Sequence, residues 1–255
     1  MNRILLRTVA LALGITAVIA DAVAGPVAVY SFNNTFASSV LGAPDLAPVN
    51  PLGTNGFVQD SVSGNSQTVY KFTGNSSPTS DQGGLSLNTT SLLTSNNVYS
   101  VEMIFKFTQR DGAWRRIIDV QNRQSDNGFY VDPSNKLDVY PTGGGGSATF
   151  TNNVYHDVFL VDNNGVVTFY LDGSAQASFN TSVMNIDSNN TMNFFLDNIV
   201  GGGQGEYSNG SIALIRLFDE ALGAPPPLST VPEPATLALL GIALASLAFS
   251  RRSRG

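Results

Sequence analysis

Six Asn-Gly or Asp-Gly pairs divide this chain: Asn55-Gly56, Asp111-Gly112, Asn127-Gly128, Asn164-Gly165, Asp172-Gly173 and Asn209-Gly210. Both residues of such a pair accept positive φ, the backbone state that closes tight hairpins between twisted strands. The runs between the pairs have the two-residue period of strands. Val101, Met103, Phe105 and Phe107 alternate with Ser100, Glu102, Ile104 and Lys106, giving one apolar and one mostly polar face. Arg116 to Val120, Gly128 to Asp132 and Lys136 to Tyr140 read as short strands, and Ser211 to Phe218 as the last one. Asp157 to Val161 and Val166 to Leu171 are apolar on both faces, as central strands of a sandwich are. Met192 to Leu196 reads as a further strand. Short strands at this spacing predict an all-β, antiparallel sandwich or barrel.

The ends read differently. Arg3 and Arg7 precede an apolar run from Thr8 to Ala20, and Ala22-Val23-Ala24 is a small-x-small cleavage site. Residues 1–24 are therefore expected to be a secretory signal peptide cut after Ala24. At the other end, Pro232-Glu233-Pro234 precedes an apolar run from Ala235 to Phe249, followed by Arg251, Arg252 and Arg254. A helix over that run would span roughly 22 Å, short of the ~30 Å hydrocarbon core. A short hydrophobic tail with basic residues behind it suits a processed sorting signal better than a permanent anchor. The Pro-rich stretch 223–230 reads as a stiff linker, which leaves one domain over residues 27–222.

Charge and composition narrow the function. Five of the 13 basic residues lie in the two terminal signals, so residues 25–230 carry 8 basic and 17 acidic side chains, a net charge of −9. Such a surface repels nucleic acid. The chain has no cysteine, which excludes a disulfide scaffold, a thiolate zinc site and a cysteine nucleophile, and its single histidine, His156, cannot build a histidine metal site.

Two resemblances follow. The order Pro232-Glu233-Pro234, apolar helix, arginine cluster closely resembles the bacterial PEP-CTERM sorting signal. That resemblance implies processing by exosortase, transient inner-membrane anchoring through the C-terminal helix, and a destination at the cell surface or extracellular matrix of a Gram-negative bacterium. Between the signals, Val29-Tyr30-Ser31-Phe32-Asn33 is similar to the opening strand of a laminin-G-like jelly roll of the concanavalin A-like lectin/glucanase type. Tyr155 to Val161, Asp162 to Gly165 and Val166 to Gly173 resemble that family's "W-H-x-V … Y-x-D-G" hairpin, with Tyr155 at the Trp position. Ser208 to Leu222 resembles its closing strand through Gly210, Ile212, Ile215, Arg216, Phe218, Ala221 and Leu222. The implied fold is a two-sheet antiparallel jelly-roll sandwich flanked by the N-terminal signal peptide and the C-terminal hydrophobic sorting helix.

The fold family includes glycan hydrolases, which use paired carboxylates. No glutamate of the domain (Glu102, Glu206, Glu220) has an acid two or four residues away in a strand, so the expectation is a non-enzymatic protein. The only histidine, His156, lacks a Gly-x-Ser-x-Gly partner and is expected to be structural, as is the loop around Gly143 to Gly146. Trp114, beside Arg115 in a turn, offers a flat platform for a sugar ring, with Tyr140 and Tyr207 as lesser candidates. The family often holds one calcium at the loop rim, and the oxygen-bearing candidates are Asp162, Asn163 and Asn164, or Asp126 with Asn127. The function expected is a lectin-like domain that binds exopolysaccharide or another surface ligand. The rivals are a glycan-active enzyme of the same fold and a structural matrix component with no specific ligand.

Overall fold

A computed structural model describes residues 25–75, 78–109, 111–142, 144–200 and 206–226. The signal peptide with Ala24, and Pro232, Glu233, Pro234, Arg251 and Arg252 of the sorting signal, lie outside the described residues. Within them, Asn164 (φ 53°) and Gly165 (φ 82°) close one hairpin, and Asp172 (φ 50°) and Gly173 (φ 78°) close the next. Both central residues of each turn sit in the left-handed region, as the strand twist demands. Gly112 (φ 74°) is left-handed too, whereas two glycines of the six pairs serve a different purpose. Gly128 and Gly210 each begin a strand, and a Cβ at Gly210 would come 2.1 Å from the Lys106 carbonyl oxygen.

The strands form two antiparallel sheets. The first, in spatial order, is β12 (Ser174–Asn180), β11 (Val166–Leu171), β10 (His156–Asn163), β6 (Val98–Phe107), β14 (Gly210–Phe218), β4 (Asn65–Phe72) and β3 (Gly56–Val62), with β1 (Ala28–Tyr30) also paired to β14. The second is β2 (Ala47–Val49), β5 (Gly84–Asn88), β13 (Thr191–Phe194), β7 (Arg115–Asp119), β8 (Gly128–Val131) and β9 (Leu137–Tyr140). This is the jelly-roll sandwich expected from the sequence. Among the described residues no helix is long and apolar enough to cross a membrane.

The inner faces meet in one apolar core that runs from Ala28 to Leu217 along the chain, so residues 25–226 enclose a complete core of their own. Aromatic rings fill its middle. Phe72 stacks on Phe195 with centroids 4.0 Å apart, and Phe105 packs against Phe107, Phe150 and Phe195. Strand β10 is apolar on both sides for the reason the pattern suggested. Val158 and Leu160 face the main core, while Phe159 and Val161 join Phe218 under Tyr170, Ala221 and Leu222 on the outer face.

The strands between β1 and β6 escaped the sequence reading. β2 and β3 lie largely exposed at sheet edges and β4 opens polar, so no clear apolar alternation announces them, while β5 does alternate through buried Leu85 and Leu87 but is only five residues long. Edge strand β12 is polar for the same reason.

Candidate functional site

The outer face of the second sheet is not apolar. Alternation along β7 turns Arg115 inward and Arg116 outward, and a bulge follows between Arg116 and Ile118. The register sets Arg116 beside Tyr130 on β8 and Tyr130 beside Asp138 on β9. Tyr140, two residues beyond Asp138, shares that face, and Trp114 lies just ahead of β7. The three rings pack edge to face, with centroids 5.5 Å apart for Trp114–Tyr130, 5.5 Å for Trp114–Tyr140 and 6.3 Å for Tyr130–Tyr140. Edge-to-face packing is the arrangement that ring quadrupoles favour.

These rings wall a cleft of about 80 Å³ whose lining is completed, among the described residues, by Asp126 and Glu206. Tyr130 is buried at its base, Trp114 is half-buried, and Tyr140 is 37% exposed. Behind the cleft sits a charged network. The Arg116 guanidinium pairs with Asp119 at 2.9 Å and Asp197 at 3.3 Å, and lies 3.9 Å from Asp126. It also donates to the Ser125 carbonyl and to the Tyr130 hydroxyl. Arg123 donates to the Asp197 carbonyl and to the Gln82 side chain, while Asn193 and the Arg123 amide donate to Asp119. Residue 128, beside Arg116, is a glycine because a Cβ there would come 2.9 Å from the Ile118 carbonyl oxygen, and it would also touch the guanidinium at 3.4 Å.

Asp197 reaches this face by a break in alternation. Phe195 has φ 64°, and it and Phe194 both enter the core, so the chain leaves β13 turned toward the outer face. Ligand atoms of Asp126, Asp197 and Glu206 all lie within 4.8 Å of one another. Burial pushes the Glu206 carboxyl up to about 8, reinforced by the charges of Asp197 and Asp126. Burial likewise raises Asp119 and Asp197, against the pull of Arg116.

The structure brings some of the sequence candidates together and separates the others. Trp114, Tyr140 and Asp126 meet in the cleft. Arg115 does not: it is fully buried, donates to Asn135 and Asn152, and holds its guanidinium 5.1 Å from the Phe107 ring. Its neighbour Trp114 faces the other way because adjacent strand residues point to opposite faces. Tyr207 is half-buried, with its Cβ close to Gly74, and does not line the cleft. Asp162, Asn163 and Asn164 form a hairpin rather than a cage. Asp162 is buried, accepts from the Gly165 amide and is pushed up to about 6 by burial, while Asn163 is exposed and Asn164 supplies the positive φ of the turn. Asn127 donates its amide to the Ser125 hydroxyl within the loop before β8.

Sequence reasoning missed Arg116, Asp119, Tyr130, Asp197 and Glu206. The search for paired acids looked along one strand, whereas these acids come from three segments. A signal did exist: Arg116 and Asp119 are charged positions in a strand whose neighbours are Ile117, Ile118 and Val120. His156 is held on both ring nitrogens, accepting from the Thr151 amide and facing Asp172 at 2.8 Å, and it ties a loop to β10. The glycine loop closes over β12: Gln176 accepts from the Ser147 and Ala148 amides, and a Cβ at Gly144 would strike the Phe179 ring.

Residues 79–225 match the family model for the concanavalin A-like lectin/glucanases superfamily, and residues 230–252 match the PEP-CTERM protein-sorting motif. That motif implies an exported protein processed by exosortase. No curated protein matches the chain. Among solved structures, domain 4 of AbnA, a GH43 extracellular arabinanase from Geobacillus stearothermophilus in complex with arabinotriose, aligns with TM-score 0.57 and 18% identity, covering 78% of this chain and 94% of that one. The binding domain of botulinum neurotoxin DC in complex with SialylT aligns with TM-score 0.52 and 12% identity, covering 78% and 48%. Botulinum neurotoxin type C, whose cell entry depends on two ganglioside molecules, gives TM-score 0.51 and 13% identity, covering 78% and 48%. At such identities the likeness is one of fold.

Proposed function

This chain belongs to the concanavalin A-like lectin/glucanases superfamily, and from that premise we propose that it is a carbohydrate-binding, non-catalytic surface or matrix protein. The observation that carries the reading is the cleft itself. Trp114 and Tyr140 give exposed ring surface for the apolar face of a sugar, and Asp126 and Glu206 stand beside them as acceptors for its hydroxyls. Glycan-bound relatives of the same fold support it, the arabinanase domain with arabinotriose most directly. The ligand class is exopolysaccharide or another surface glycan. Exosortase would take the chain from a transient inner-membrane anchor to the surface or matrix of a Gram-negative cell.

Absence of catalysis is part of the proposal. Of the three clustered acids, Asp197 is fully buried and ion-paired to Arg116, which keeps it from a glycosidic bond. Incubating the domain with the glycan it binds should release no reducing ends; their appearance would favour the hydrolase reading.

A second reading is favoured by the acids alone. Asp126, Asp197 and Glu206 would hold calcium, which when bound would supply positive charge to sugar hydroxyls. Against it, the Arg116 guanidinium already occupies the cation's place beside Asp197. A glycan array run on residues 25–226, with calcium and with a chelator, tests both. Binding that survives the chelator supports the main reading, binding lost with calcium supports the second, and no binding by the folded domain leaves a structural matrix protein.

A further inference from the structure

The lining of the cleft has a composition that a neutral sugar does not require. Among the described residues, three aromatic rings, the Asp126 carboxylate and the Glu206 carboxyl line it, and no basic side chain does. The nearest arginine, Arg116, is fully buried; it donates to Asp119, Ser125 and Tyr130 and is ion-paired with Asp197, so it is committed to the network and not to a ligand anion. Counting the network, Asp119, Asp126 and Asp197 face Arg116 and Arg123, three acids against two bases, while Glu206, pushed up to about 8 by burial and by Asp197 and Asp126, holds its proton near neutral pH until a cation arrives. A cation is attracted here by the Asp126 carboxylate and by the Trp114 and Tyr140 rings, the Tyr130 ring already holding the Arg116 guanidinium 4.7 Å from its centroid. Rings arranged around a small space are the recognised geometry for an alkylammonium group.

We infer that the cleft selects glycans carrying free amino groups, such as polymers of de-N-acetylated hexosamine, over neutral N-acetylated and anionic ones. The ammonium would sit beside Trp114 and Tyr140 and pair with Asp126, its charge drawing Glu206 into the ionised form beside it, while the sugar ring lies against the exposed edge of Tyr140. Glycan is favoured over a lysine side chain because Trp114 and Tyr140 are accessible and extend apolar surface beyond the point where an ammonium would end. This rests on the glycan-binding reading of the same cleft.

The test is titration calorimetry of the domain, in chelator, with glucosamine hexamer, N-acetylglucosamine hexamer, a sialylated oligosaccharide and hexalysine. The amine hexamer should bind at least about tenfold tighter than its N-acetylated twin, as a charge-assisted contact worth about one decade predicts. Added salt should shrink that preference. Asp126→Asn with Glu206→Gln should bring the ratio close to one, and because the salt series uses unaltered protein, poor folding of that variant would not shelter the inference. Equal or tighter binding of the N-acetylated or sialylated ligand would overturn the selectivity and leave glycan binding standing. Tighter binding of hexalysine would overturn it by assigning the cleft to protein ammonium groups. Failure to bind any of the four, by a domain that binds a neutral glycan on the array, would also overturn it. Failure to bind any glycan at all would overturn both readings.

Discussion

Arg116→Met removes the one cation that reaches three acids. In the structure the side chains of Arg116, Asp119 and Asp197 are all 0% exposed. Without the guanidinium, Asp119 keeps hydrogen bonds from the Arg123 amide and Asn193, and Asp197 keeps those from the Glu206 and Asn198 amides. Those donors do not neutralise two buried charges. Breaking a buried ion pair by removing one partner costs roughly 3–5 kcal/mol. For a domain of this size that corresponds to a fall in Tm of roughly 6–20 °C. The loss should depend on pH. Burial already raises Asp119 and Asp197, and Arg116 is what opposes that rise. Once it is gone the two carboxyls hold protons more strongly, so acidification should narrow the gap between variant and unaltered domain. Urea unfolding of residues 25–226 at neutral and mildly acidic pH measures both effects. A loss below about 1 kcal/mol, the scale of a solvent-exposed pair, or a gap that widens in acid, would refute the network.

Two further predictions rest on other parts of the domain. Gly210→Ala places a Cβ 2.1 Å from the Lys106 carbonyl and 2.8 Å from the Phe72 ring, so β14 must shift against β6; a loss of roughly 1–3 kcal/mol is expected in the same unfolding assay. The domain as a whole should be most stable in mild acid. Glu206 is pushed up to about 8, Asp157 to about 7, and Asp138 and Asp162 to about 6, burial being the main cause in each case. Each binds its proton more tightly folded than unfolded, so its contribution is full below the ordinary carboxylate range and is lost as pH rises through these values. Asp60 has the opposite sign, since the Lys106 and Tyr155 hydrogen bonds overcome its burial. Thermal melts should therefore show Tm falling from about pH 5 to about pH 9, and a Tm that rises across that range would refute the assignment.

The strand pattern made the sandwich legible because its strongest strands, β6, β10, β11 and β14, lie together in the first sheet and carry long apolar runs. The edge strands were silent because solvent, not a core, covers them. Turn chemistry was read correctly at Asn164-Gly165 and Asp172-Gly173, but Gly128 and Gly210 answer to close neighbours rather than to tight turns. A pair rule that sees only positive φ cannot distinguish the two. For the site, Trp114 and Tyr140 were visible as aromatics near turns, and Asp126 as an acid in a loop. Their partnership was not, because the register of β7, β8 and β9 and the turn at Phe195 bring together residues up to 92 positions apart, Trp114 and Glu206 being the extremes. Arg115 and Arg116 look equivalent in sequence, and strand alternation alone decides that the second, not the first, supports the cleft.

The most direct test of the account is glycan binding by the domain and by Trp114→Ala. Trp114 is half-buried against two tyrosines and lies outside the main core, so its removal should leave the cooperative unfolding transition in place. Binding, in contrast, should weaken at least about tenfold, the loss expected when an aromatic platform is removed from the centre of a site. A variant that folds and binds glycan as tightly as the unaltered domain would contradict the central claim that this cleft is where the protein meets its ligand.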